Sequence, residues 1–260
     1  MQLPPQIIDT HCHLDIPTFA ADFDTIIKRA MKAGVTDFIL PGYISANWPN
    51  LIKLCNNHSF LHCAPGLHPI YMSHHKAHDL QRLDEICREE KIVGIGEIGI
   101  DLLRNKENET EQRELFEAQL DLAKKHSLPI LVHARKSHDQ LASIIRKKKF
   151  EQGGIVHAFN GSKQQAQAYI DLGFKLGYGG TLTYPRSKRI RSLAASLPLS
   201  SIVLETDAPD IPLAGSSDTR NSPEFLPIIL AALAELRPES IEEIATQTSQ
   251  NAKNVLRLNK

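Results

Sequence analysis

Six residues spread over the sequence carry side chains suited to holding metal ions: His11, His13, Glu97, His133, His157 and Asp207. They fall at or just past the ends of short apolar runs. Strand side chains alternate, so His11 and His13 share one face with Asp9 and aim two imidazoles at one point. Glu97 closes Ile92-Val93-Gly94-Ile95-Gly96, where an isolated carboxylate is expensive to desolvate and needs a cation or hydrogen-bond donors. His133 ends Ile130-Leu131-Val132, His157 ends Ile155-Val156, and Asp207 stands two residues after Glu205, on the same face. Taken singly, each has a plainer reading as a satisfied core histidine or a solvated acid. Five strand ends with the same chemistry make the joint reading, a metal site, the better one. Imidazole with carboxylate suits Zn²⁺, Mn²⁺ or Fe²⁺ better than Mg²⁺, and six ligands exceed what one four-coordinate ion takes, so two divalent ions are expected.

Such residues must be brought together by a repeating scaffold. Eight apolar runs alternate with longer amphipathic stretches: Gln6–His11, Val35–Leu40, Leu61–Ala64, Ile92–Gly96, Pro129–His133, Gly154–His157, Phe174–Gly177 and Ile202–Glu205. This order predicts βαβ units and an α/β fold, a (β/α)₈ TIM barrel whose strand ends carry the site, with a doubly wound sheet as the other possibility. The stretch from Glu111 to His126 reads as a helix with Leu115, Ala118, Leu122 and His126 turned inward. The last forty residues read as two helices, capped at Ser222-Pro223 and restarted after Arg237-Pro238, the final one being extra to the barrel. At 260 residues without a linker or repeat, the chain is expected to be one domain, 1–260.

Lys and Arg number 30 and so do Asp and Glu, which excludes a polycation that coats nucleic acid by bulk charge. The runs Arg146–Lys149 and Lys188–Arg191 are read as cations at helix ends. Nine Phe, five Tyr and one Trp offer no long base-stacking platform. Four cysteines without a C-x-x-C pair, no signal-like N-terminus and no long apolar stretch point to a cytoplasmic protein with no membrane partner. Nothing in the pattern bears on oligomeric state.

The motifs Asp9-Thr10-His11-Cys12-His13-Leu14-Asp15, Gly66-Leu67-His68-Pro69, Gly94-Ile95-Gly96-Glu97-Ile98-Gly99-Ile100-Asp101, His133-Ala134-Arg135, His157-Ala158-Phe159-Asn160-Gly161 and Glu205-Thr206-Asp207-Ala208-Pro209 stand in an order that resembles the TatD family of metal-dependent hydrolases over nearly the whole chain. The resemblance implies that His11, His13, Glu97 and Asp207 serve one ion and Glu97, His133 and His157 its neighbour, with Glu97 bridging. It also implies a deoxyribonuclease-like phosphodiesterase acting on DNA or another phosphodiester. On that reading Asp207 takes the proton of a metal-activated water, while His68 and Arg135 contact the scissile phosphate or leaving group. Asp9, Asp101 and Glu205 are expected to support the ligands from behind. An ester or amide hydrolase, for example of aminoacyl esters, is the alternative for the same ligands. The chain departs from the family's habit at Leu102-Leu103-Arg104 and at Arg220-Asn221-Ser222-Pro223, both near the expected substrate mouth.

Overall fold

A computed structural model describes residues 4–216 and 220–258. Strands and helices alternate in the order of a (β/α)₈ TIM barrel: β1 (Ile7–Asp9), α1 (Phe23–Lys32), β2 (Val35–Pro41), α2 (Trp48–Asn57), β3 (Leu61–Ala64), α3 (Asp79–Glu89), β4 (Ile95–Asp101), α4 (Glu109–Lys125), β5 (Ile130–Arg135), α5 (His138–Lys147), β6 (Gly154–Val156), α6 (Lys163–Asp171), β7 (Phe174–Tyr178), α7 (Lys188–Ser196), β8 (Ile202–Leu204) and α8 (Leu226–Ala234), with α9 (Ile241–Leu256) added at the end. Among the described residues, no helix is long and apolar enough to cross a membrane. The chain groups into two compact units, Met1–Leu40 with Ala158–Asn160 and Leu176–Lys260, and Pro41–His157 with Gly161–Lys175.

In the first unit the strands run parallel in the order β7-β8-β1-β2. Leu176, Gly177 and Tyr178 pair with Ile202, Val203 and Leu204, and β1 pairs with β2. Beyond β1 and β8 the backbone keeps bonding: Thr10 N donates to Leu204 O, Asp207 N to His11 O and His13 N to Ala208 O, at 2.8–3.0 Å. Helix α9 opens with a capping box, Ser240 Oγ accepting from Glu243 N while Glu243 accepts from Ser240 N. Its inner face is not wholly apolar. Ser249 Oγ donates to Gln6 O, and Asn251 Nδ2 to Leu199 O and Ile202 O, so α9 satisfies carbonyls at the entrances of β1 and β8.

In the second unit the order is β3-β4-β5-β6. Val93 N donates to Cys63 O and Gly96 N to Pro65 O, and β4–β5 and β5–β6 pair in parallel register. The fourth strand begins at Ile95, later than Ile92, and runs on to Asp101. Its register with β5 passes from Ile95↔Ile130 to Ile98↔Val132, three steps against two, so a bulge lies where Glu97 sits. The β5 backbone comes so close at Gly99 (φ +155°) that a Cβ there would lie 1.9 Å from His133 O.

Helix α4 differs from expectation in its face. Gln112, Phe116, Gln119, Leu120 and Ala123 are buried, whereas Leu115, Ala118, Leu122 and His126 are only half-buried. The cause is hydrogen bonding. Gln119 Oε1 accepts from Leu67 N (2.8 Å) and its Nε2 donates to Leu67 O (3.1 Å); Gln112 Oε1 accepts from Asp101 N (2.7 Å) and its Nε2 donates to Asn105 O (2.5 Å). Two fully buried amides thus replace backbone partners for the loops that carry the site. Ser222 makes no helix-capping bond. The Lys188–Arg191 run opens α7 rather than closing a helix, where the dipole does not favour it. There Arg189 and Arg191 donate to the carbonyls of Asn160 and Leu182 instead.

Candidate metal centre

Three imidazoles in the second unit surround one carboxylate oxygen. Glu97 Oε1 lies 2.7 Å from His133 Nδ1, 3.3 Å from His68 Nε2 and 3.9 Å from His157 Nε2, and all four residues are buried. One ligand atom each of His68, Glu97 and His133 falls within 4.8 Å of the others. The strand ends place them: His133 lies on β5, opposite Gly99, while His157 directly follows β6 and its N–H is held by Val132 O. Asp101, at the end of β4, accepts from His133 Nε2 (3.0 Å) through Oδ2 and from Leu103 N and Arg104 N through Oδ1. One ring nitrogen of His133 is therefore fixed by a carboxylate and the other faces Glu97, the orientation that metal-binding histidines adopt. Burial opposes the His133 imidazolium, but the Asp101 and Glu97 carboxylates outweigh it and raise its pKa. Asp101 is likewise penalised by burial, and its bonds to His133, Arg104 N and Leu103 N prevail, bringing it down to about 2. An oxygen and several imidazoles, all buried, form a donor set that fits a divalent ion of intermediate hardness.

His68 lies closer to Glu97 than a substrate-contacting role alone requires. Its tautomer separates the two roles. Nδ1 accepts from Ile70 N (3.1 Å), so the neutral ring carries its proton on Nε2, toward Glu97. Burial pushes its pKa down to about 4, against the pull of Glu97, so the ring is neutral near pH 7 and acts as a donor. Arg135 ends β5, half-buried, paired with Asp101 across the ladder and on the same face as His133.

The first unit holds its own set. His11 Nε2 lies 3.7 Å from Asp207 Oδ1, and the His11 and His13 rings meet edge to face at 5.1 Å. Beneath them Asp9 accepts from Thr206 N (2.9 Å), Thr206 Oγ1 (2.6 Å) and His11 N (3.3 Å), which ties the end of β1 to the end of β8. Burial carries the Asp9 carboxyl up to about 7, with the Thr206 and His11 bonds pulling the other way. Asp207 takes φ +58°, a left-handed conformation that Asp tolerates better than most residues. Glu205 Oε1 accepts from Ala158 N (2.7 Å), next to His157, and its carboxylate covers Gly177, where a Cβ would lie 2.2 Å from Oε2. Cys12 is buried in the core.

Sequence reasoning anticipated Asp9, Asp101 and Glu205 as supports but missed Thr206, Gln112 and Gln119. The two glutamines, seven residues apart in line with Phe116 and Ala123, carried a signal: polar residues at the helical spacing of an apolar face.

A barrel with buried histidines and carboxylates at its strand ends is the architecture of metal-dependent hydrolases. The chain belongs to the TatD related DNase family, whose sequence profile matches residues 8–257. It is 41% identical to the metal-dependent hydrolase YjjV of Escherichia coli K12 over 95% of this chain and 96% of that one. It is 30% identical to the 3'-5' ssDNA/RNA exonuclease TatD of Pantoea vagans, over 97% of this chain and all of the other. The crystal structure of YjjV superposes with a TM-score of 0.93 at 40% identity, covering 96% of this chain and 97% of that one. The protein is an enzyme, a metal-dependent hydrolase of this family.

Proposed function

We propose that this enzyme is a phosphodiesterase that trims single-stranded nucleic acid from an end, using two divalent ions of the Zn²⁺, Mn²⁺ or Mg²⁺ class. The observation that carries the reading is the buried ring of imidazoles around Glu97 Oε1, backed by the exonuclease named among the relatives. His133 and His157 would hold one ion with Glu97; His11, His13 and Asp207 would hold the other, also with Glu97. That division rests on the order of the family motifs. Bound there, the ions supply a water of lowered pKa and positive charge for a phosphoryl oxygen.

The chain's own residues do the rest. Asp207 accepts the proton of the attacking water, Asp9 and Thr206 keep the segment bearing Asp207 in line with His11, and Asp101 holds the His133 ring. His68, neutral with its proton on Nε2, donates a hydrogen bond to the phosphate or leaving oxygen, and the Arg135 guanidinium pairs with a non-bridging oxygen. The whole chain, 1–260, serves as one catalytic domain. Its four free cysteines favour the reducing cytoplasm.

Metal analysis of the purified enzyme, run with parallel turnover of end-labelled single-stranded DNA, a simple phosphodiester and an aminoacyl ester, tests this. DNA shortened stepwise from one end supports it. Rapid aminoacyl ester cleavage beside intact DNA would overturn it in favour of an acyl hydrolase.

A further inference from the structure

Two tyrosines frame His68. Tyr43 O accepts from His68 N (3.0 Å), and Tyr71 N donates to His68 O (3.1 Å), so each is tied through the backbone to the histidine beside Glu97. The Tyr71 ring lies 5.8 Å from the His68 ring, 5.6 Å from Tyr43 and 5.9 Å from His74. With His133 at 4.4 Å from His68, the rings form an unbroken series leading outward from the carboxylate. Tyr169 and Tyr178 are core residues, and Tyr184 donates to Pro212 O; Tyr43 and Tyr71 are half-buried, and His74 at the end of the series is exposed. The neighbouring β4–α4 loop is bound in, Asn105 Nδ2 donating to Pro69 O, and it leaves Leu103 58% exposed. Apolar, planar surface beside the buried Glu97 and its imidazoles matches a ligand that carries both a charged group and a flat ring.

We propose that Tyr71, backed by Tyr43, stacks on the nucleobase adjacent to the scissile phosphate and so forms the base-binding subsite of this enzyme. The proposal rests on the nuclease reading above and gives it a substrate feature: recognition by ring faces, tolerant of base identity. Two tyrosines make a platform one or two bases long, which the aromatic count alone did not reveal. That length suits a strand held by its end.

The test compares end-labelled oligonucleotides that carry normal or abasic residues at the two positions nearest the cleaved end, with wild type, Tyr71→Ala and Tyr71→Phe, circular dichroism confirming each fold. Stacking is worth about 1–3 kcal/mol per base, so removing the bases should lower wild-type kcat/KM by about 5-fold or more. In Tyr71→Ala the penalty should shrink below about 2-fold, and in Tyr71→Phe, which keeps the ring, it should persist. Equal cleavage of normal and abasic strands by wild type would overturn the proposal while leaving the nuclease reading intact, and so would an undiminished penalty in Tyr71→Ala. A wild type that cleaves neither strand but hydrolyses an aminoacyl ester would overturn both.

Discussion

Gln119→Leu exposes how far α4 supports the site. Gln119 is fully buried and bonds both the N–H and the C=O of Leu67, the residue before His68. Leucine keeps nearly the same bulk, so the cavity is small, but it strands a donor and an acceptor. Each unsatisfied buried group costs about 1–3 kcal/mol, giving about 2–6 kcal/mol for the pair. For a chain of this size each kcal/mol moves Tm by about 2–4 °C, so the variant should melt at least about 4 °C lower. Gln167→Leu, which removes an exposed bond to Asp171 on α6, is the matched control and should change stability by less than about 0.5 kcal/mol. Differential scanning calorimetry measures both, and kcat reports whether His68 has moved. A Gln119→Leu enzyme melting within about 1 °C of wild type would show that the amide does not hold the Leu67 loop.

Other outcomes follow from the same geometry. Asp207→Asn should retain its circular dichroism spectrum and lose about 10²–10⁴-fold in kcat, since the proposed mechanism gives Asp207 the water's proton. Asp101→Asn removes the charge that orients His133 and should weaken metal binding about 10–100-fold in a chelator competition. His68→Asn should keep its bound metal and lose kcat, because the Nδ1 bond to Ile70 N leaves His68 a donor rather than a ligand. Hydrogen bonds from Lys125 and His126 hold Asp84 down at about 2. A carboxylate depressed in the folded state stabilises above its unfolded pKa and loses that contribution as pH falls toward the folded value. The Tm difference between wild type and Asp84→Asn, present near pH 5, should therefore narrow below about pH 4.

The barrel and the histidine- and acid-bearing ends of its strands were legible because apolar β-branched runs and the polar residue closing each are local features. Val35, Leu61, Gly154, Phe174 and Ile202 begin the observed strands as read. Positions set by distant hydrogen bonds were not legible. The fourth strand starts at Ile95 rather than Ile92, and the partners of Val93 and Gly96 are Cys63 and Pro65, thirty and thirty-one residues away. The α4 face turned on Gln112 and Gln119 because their partners are loop backbone, which has no signature in a hydrophobic pattern. The left-handed backbone at Asp207 and the Thr206 clasp on Asp9 were equally hidden, as each depends on β1 and β8 meeting across some two hundred residues.

The most direct test of the central claim is an anomalous difference map from crystals soaked in Mn²⁺. Two peaks should appear, both within about 2.0–2.3 Å of Glu97 oxygens, one also bonded to His133 and His157 and the other to His11, His13 and Asp207. A map with no peak at Glu97, in crystals of an enzyme that still hydrolyses its substrate, would contradict the account.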